Sequence, residues 1–98
     1  MSASSKSTKI LKEAEKIVFG RGEENYGHPR DNFQDEADAW TAYLRARKLL
    51  ARDASLEPRD IAQLNVLQKV IRDGNKPAHD NLLDQIGYTL TAERIAVE

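Results

Sequence analysis

Cysteine is absent from the 98 residues. That excludes disulfide scaffolds, cysteine-ligated zinc, iron–sulfur clusters and thiol catalysis. No apolar run approaches the roughly 18 residues a membrane helix needs, and no signal-peptide pattern opens the chain. An excess of one charge is also missing: 15 Lys and Arg stand against 16 Asp and Glu, a formal net charge of -1. General nucleic-acid binding relies on a basic surface that displaces counterions, so this balance argues against it. Aromatic residues are few, with one Trp, three Tyr and two Phe, and many apolar positions are Ala. A single core of this size contributes only about 3–5 kcal/mol. The expectation is one soluble, intracellular domain that gains further stability as a homo-oligomer.

What is present is helical periodicity. Residues 1–7 are small and polar and read as a disordered lead-in. From Thr8, a good N-cap, Ile10, Leu11, Ala14, Ile17 and Val18 recur at helical spacing, which predicts a helix over 8–19 ended by Gly20. Residues 20–31 hold three Gly and one Pro and predict a long loop, a kind of segment that is often functional. Asp31 is a second N-cap. Phe33, Ala37, Trp40, Leu44 and Ala51 lie within about 40° of one another on a helical wheel, which predicts a helix over 32–52. Pro58 suits the first turn of a third helix, 58–73, with Ile61, Leu64, Leu67 and Ile71 as its apolar stripe. Asp80 reads as the N-cap of a fourth, 80–96, with Leu83, Ile86 and Leu90 buried and Gly87 at its middle. No segment alternates with period two, so the fold class is all-α, a compact bundle of four helices.

Several polar side chains stand where a plain bundle does not need them. Asp80, Asp84, Gly87 and Thr91 share one stripe roughly 110° from the apolar face, at the border of the core. Two carboxylates at i, i+4 can hold a hard cation such as Mg²⁺, and a glycine one turn on leaves room for a phosphate. The plainer alternative is that Asp80 caps the helix and Asp84 is a solvated first-turn acid. Lys69 and Arg72, beside Asn65, form a stripe on the third helix suited to phosphate, with an ordinary charged surface as the alternative. Asp60 could join the acidic set or simply satisfy amides at its own helix start. Tyr26 and His28 sit in the long loop, where Tyr26 could cover a base and His28 carry a proton or a phosphate. Phosphate-loop, dinucleotide-turn, zinc-helix and serine-elbow motifs are all missing.

The runs Tyr26-Gly27-His28-Pro29 through Asn32-Phe33, Pro58-Arg59-Asp60-Ile61-Ala62, Lys69-Val70-Ile71-Arg72 and Asp80 through Asp84 to Gly87-Tyr88 together resemble a family of small domains of tailed bacteriophages and prophages. The likeness covers about residues 8–95. More distantly, the chain is similar to the MazG-type all-α nucleotide pyrophosphohydrolases. That resemblance implies an oligomeric helical bundle and a Mg²⁺-dependent enzyme that acts on nucleoside triphosphates. The family holds its metal through Glu-x-x-Glu on one helix and Glu-x-x-Asp on a later one. Here helix two has Glu36 between Asp35 and Asp38, without Glu-x-x-Glu, and helix four spaces Asp80 and Asp84 by four. The expectation is therefore a phage accessory protein that binds a nucleotide or another phosphate-bearing small molecule. Asp80, Asp84 and Asp60 would hold Mg²⁺, and Lys69, Arg72, Tyr26 and His28 would contact the ligand. The alternative is a non-enzymatic anti-defence protein that sequesters a signalling nucleotide or blocks a host protein.

Overall fold

The computed structural model describes residues 3–20 and 28–97, with side chains from Thr8 onward. Four helices account for most of them: α1 Ala3–Phe19, α2 Pro29–Ala46, α3 Pro58–Asn75 and α4 His79–Val97. No strand occurs among the described residues, in keeping with the all-α class.

α3 and α4 form the centre, an antiparallel hairpin with a three-residue connection. Asp73 accepts the Ala78 N–H at 3.0 Å and Asn81 donates to the Lys76 carbonyl at 3.2 Å, so the turn is fastened from both helices. α1 lies along α4 in the same direction. Glu13 meets His79 at 3.1 Å near the start of α4, and the Phe19 ring lies 5.5 Å below the Arg94 guanidinium near its end. α2 packs on α3 and touches α4 only thinly. The helices therefore stack in the order α1, α4, α3, α2. The extents are 54 × 35 × 21 Å, and the short dimension is about two helix diameters. The radius of gyration is 15.7 Å, against about 12.6 Å for a compact chain of this length.

Three helix limits differ from the expectation by three residues or more. α1 begins at Ala3, because no Gly or Pro interrupts residues 3–8 and Thr8 lies within the helix rather than capping it. α2 begins at Pro29, not after Asp31. His28 is its N-cap, with Nδ1 accepting the Arg30 N–H at 3.1 Å, and Pro29 fills the first position, where its missing N–H costs nothing. α2 also stops at Ala46 rather than Arg52. Lys48 adopts φ 60°, its N–H bonds the Arg45 carbonyl and the Leu49 N–H bonds the Leu44 carbonyl. That is the paired-bond helix stop normally made with glycine. Tertiary contacts then draw the chain back across α2. Thr41, buried, accepts the Leu56 N–H at 2.9 Å, and the Arg45 guanidinium donates to the Ala54 carbonyl at 2.6 and 3.1 Å.

The core is small. Ala14, Ala37, Ile61, Ala62, Leu83 and Ala92 are its buried apolar residues among those described. The expected α3 stripe is buried only at its start: Ile61 is enclosed and Leu64 half-buried, while Leu67 and Ile71 are 57% and 66% exposed. Val70 is exposed beside them. The helix is instead turned so that Asn65, Lys69 and Asp73 sit half-buried, on roughly the opposite side from Leu67, Val70 and Ile71. A monomeric amphipathic helix turns its apolar side inward; the C-terminal half of α3 does the reverse.

Candidate functional site

The polar side of α3 meets α4 at one ion pair. Lys69 Nζ lies 2.9 Å from Asp84 Oδ2, and the two side chains are 15% and 39% exposed. A lysine that deep has lost most of its hydration, and the carboxylate replaces it. Along the same stripe of α4, Asp84, Gly87 and Thr91 are all half-buried, and Gly87 looks toward Val18 of α1. The Thr91 hydroxyl donates to the Gly87 carbonyl at 2.9 Å. Asp84 thus keeps Oδ1 and a solvent-facing edge, so the seam is charged, partly dry and open on one side.

The other anticipated residues divide. Asp80 is exposed, one turn before Asp84 on the same face of α4. Ala78 occupies the N-cap position of α4, its carbonyl accepting the Asn81 and Leu82 N–H groups. Arg72 is exposed on α3, about one turn beyond Lys69. Asp60 does not join them: its Oδ2 accepts the Glu57 N–H at 2.8 Å in a capping box at the start of α3. Nine residues separate it from Lys69, about 13 Å along the axis and toward the far end of the hairpin from Asp80. His28 is at the start of α2, with Nδ1 used on the helix amide. Tyr26 lies outside the described residues.

Among the described residues no three His, Asp or Glu converge as a ready metal cage. Asp80 and Asp84 alone remain as a pair of oxygen donors one turn apart. That donor set fits Mg²⁺ in its usual manner, with one or two carboxylates completed by water and ligand phosphates. A shallow hollow of about 250 Å³ at the end of α1, lined by Lys12, Glu15, Lys16, Phe19 and Gly20, is separate from the seam.

Two polar contacts went unnoticed in the sequence. The Thr41 hydroxyl holds the 47–57 connection, and nothing in its own helix signals that role. The tie from Glu13 to His79 spans 66 residues, and nothing local announces it. Asp73 could have been suspected, because an Asp shortly before a turn is a common acceptor for the amides that follow.

Fold and seam define the class: an all-α domain whose two central helices enclose a lysine–carboxylate pair. Its sequence places it further. Residues 9–96 match the profile of the family described as Domain of unknown function (DUF6378), so the chain belongs to that family. It is 36% identical over 93 residues to the Gene 55 protein of Mycobacterium phage D29, a match covering 94% of this chain and 56% of the relative. It is 30% identical over 87 residues to the Gene 55 protein of Mycobacterium phage L5, covering 88% and 51%. The expected kinship with a phage domain family therefore holds. The chain spans about half the length of the curated relatives it matches. No solved structure matches it. No helix among the described residues is long and apolar enough to cross a membrane.

Proposed function

We propose that this phage-family domain binds a nucleotide, or a similar phosphate-bearing small molecule, at the α3–α4 seam, and that it works as a homo-oligomer in the host cytoplasm. The observation that carries this reading is Lys69. It is drawn inward to 15% exposure against a single carboxylate, while Leu67, Val70 and Ile71 of the same helix face out. Water solvates an ordinary surface lysine, and a purely structural seam is at least as stable with apolar residues. A phosphate binder needs a positioned ammonium close to the surface. Arg72, one turn along, supplies a second cation. Asp80 and Asp84 would hold Mg²⁺, which supplies neutralisation of phosphate charge when bound. The likeness to MazG-type proteins supports the same ligand class. The spacing of Asp80 and Asp84 favours binding over hydrolysis.

A thermal-shift screen with the common nucleoside triphosphates and cyclic nucleotides, each with and without Mg²⁺, tests the reading. A ligand that binds the native state alone raises the unfolding temperature, and at least one nucleotide should do so. No shift with any of them would remove the proposal. The same screen covers an anti-defence protein that sequesters a signalling nucleotide, since such a molecule offers the same phosphates. The reading as an inhibitor of a host protein is supported by the exposed Trp40 and Leu49. Retention of one specific host protein, with no shift by any nucleotide, would favour it.

A further inference from the structure

The sequence of α2 carries a pattern that its place in the fold does not use. Glu36, Trp40, Tyr43 and Arg47 lie within about 60° of one another on the helix wheel. Their stripe runs beside the face packed on α3, and all four are exposed, Trp40 at 45% and Tyr43 at 58%. The order is acid, aromatic, aromatic, base, with spacings of four, three and four residues. Read backwards, the spacing is identical and the charges are exchanged. Two copies of α2 laid antiparallel about an axis between Trp40 and Tyr43 would therefore set Glu36 against Arg47 of the second copy and Trp40 against Tyr43 of the second copy.

The wider charge distribution has the same centre. Asp35, Glu36 and Asp38 are followed by six uncharged residues and then by Arg45, Arg47 and Lys48. An antiparallel pair brings the acidic end of each helix to the basic end of the other, with Glu36 and Arg47 as the charges on the shared face, and opposes the two helix dipoles. A parallel pair would set like against like. The exposed residues Leu67, Val70 and Ile71 on α3 are apolar throughout and set no orientation, whereas the stripe on α2 sets one.

We infer that a second copy of this chain docks on α2, in an isologous antiparallel contact built on Glu36–Arg47 pairs and a Trp40–Tyr43 centre. In the single chain the Arg47 guanidinium lies 3.4 Å from the Tyr43 hydroxyl of its own helix, on the face where the Glu36 of the second copy would arrive. The contact stands apart from ligand binding at the seam, and its test uses no ligand.

Charge exchange tests it through the only Trp of the chain. Glu36→Arg and Arg47→Glu are made separately, and association is followed by sedimentation and by Trp40 emission at low salt. Each variant alone faces like charges at both ends of the contact. Each should associate about tenfold more weakly than the natural chain, with red-shifted emission. In an equimolar mixture, a mixed pair sets opposite charges together at both ends, in the natural sense at one end and in the exchanged sense at the other. The mixture should associate almost as tightly as the natural chain, with the emission returning to the blue. Circular dichroism checks that each variant keeps its helices; both positions are exposed, and the double variant Glu36→Arg with Arg47→Glu should also associate. The inference is overturned if the natural chain is monomeric throughout, if the single variants associate undiminished, or if mixing them restores nothing.

Discussion

At the scale of single residues, the clearest departure from the easy choice is Lys48. A non-glycine residue at φ 60° carries a cost of about 1 kcal/mol or more. Glycine at that point of a helix stop avoids it. Lys48→Gly should therefore raise stability by about 1 kcal/mol in urea unfolding, with α2 still ending at Ala46. Lys69 and Asp84 present the opposite case, a pair whose value lies in being kept together. Removing either partner strands the other at the seam. Lys69→Ala and Asp84→Ala should each destabilise the fold, and a double-mutant cycle should give a coupling of about 1 kcal/mol. A coupling near zero would mean that solvent screens the pair. In the sequence Lys69 and Asp84 are legible as candidates because Lys69 shares a polar stripe with Asn65 and Arg72, and Asp84 shares one with Asp80 at the border of the core. Their mutual contact was not legible, since it depends on the register of α3 against α4. Asp60 was legible in both of its roles, and the structure assigns the plainer one. Asp60→Ala should cost about 1 kcal/mol through lost capping and leave nucleotide affinity unchanged.

At the scale of elements, helix existence followed from period and helix limits from contacts. The stripes of α1, α3 and α4 and the prolines at 29 and 58 were enough to establish four helices. The expected end of α2 at Arg52 fails: Ala51 falls in register with the stripe of Phe33, Ala37, Trp40 and Leu44, although the helix stops at Ala46. What stops the helix is the return of the chain to Thr41 and Arg45. Thr41→Val keeps the shape and removes the acceptor, leaving the Leu56 amide unsatisfied, and should cost about 1–2 kcal/mol. Gly20, just after α1, and Gly87, at the α1–α4 contact, answer differently. A Cβ at Gly20 would run into the Lys16 carbonyl oxygen, so Gly20→Ala should loosen the last turn of α1 and lower the unfolding temperature. A Cβ at Gly87 would meet only Val18 Cγ2 at 3.7 Å, an ordinary contact. Packing therefore does not require glycine there, and Gly87→Ala should stabilise the helix by up to about 1 kcal/mol. If phosphate approaches the α4 backbone at this point, the same variant weakens nucleotide binding. A gain in stability with a loss of affinity would mark Gly87 as kept for the ligand.

At the scale of the whole molecule, scarcity of large core residues was already visible in composition, and it led to the expectation of self-association. The structure adds where the deficit lies. Among the described residues alanine fills four of the six buried apolar positions, and Leu67, Val70 and Ile71 face outward. The direction in which α3 turns could not be read from its sequence, because its polar and apolar stripes are each regular and only the partner helix decides between them. A chain stabilised by association melts later as its concentration rises. Its unfolding temperature should therefore climb over a hundredfold range of concentration, and a constant value would place the missing stability within the monomer. Ligand and assembly remain separate claims, and the ligand is the central one. Lys69→Met retains the length of the side chain and removes its charge. Titration of the natural chain and of Lys69→Met with nucleoside triphosphates in the presence of Mg²⁺ puts the claim to a direct test. The account predicts measurable binding to the natural chain and a loss of about tenfold or more in the folded variant. Equal affinity in the two proteins would contradict it.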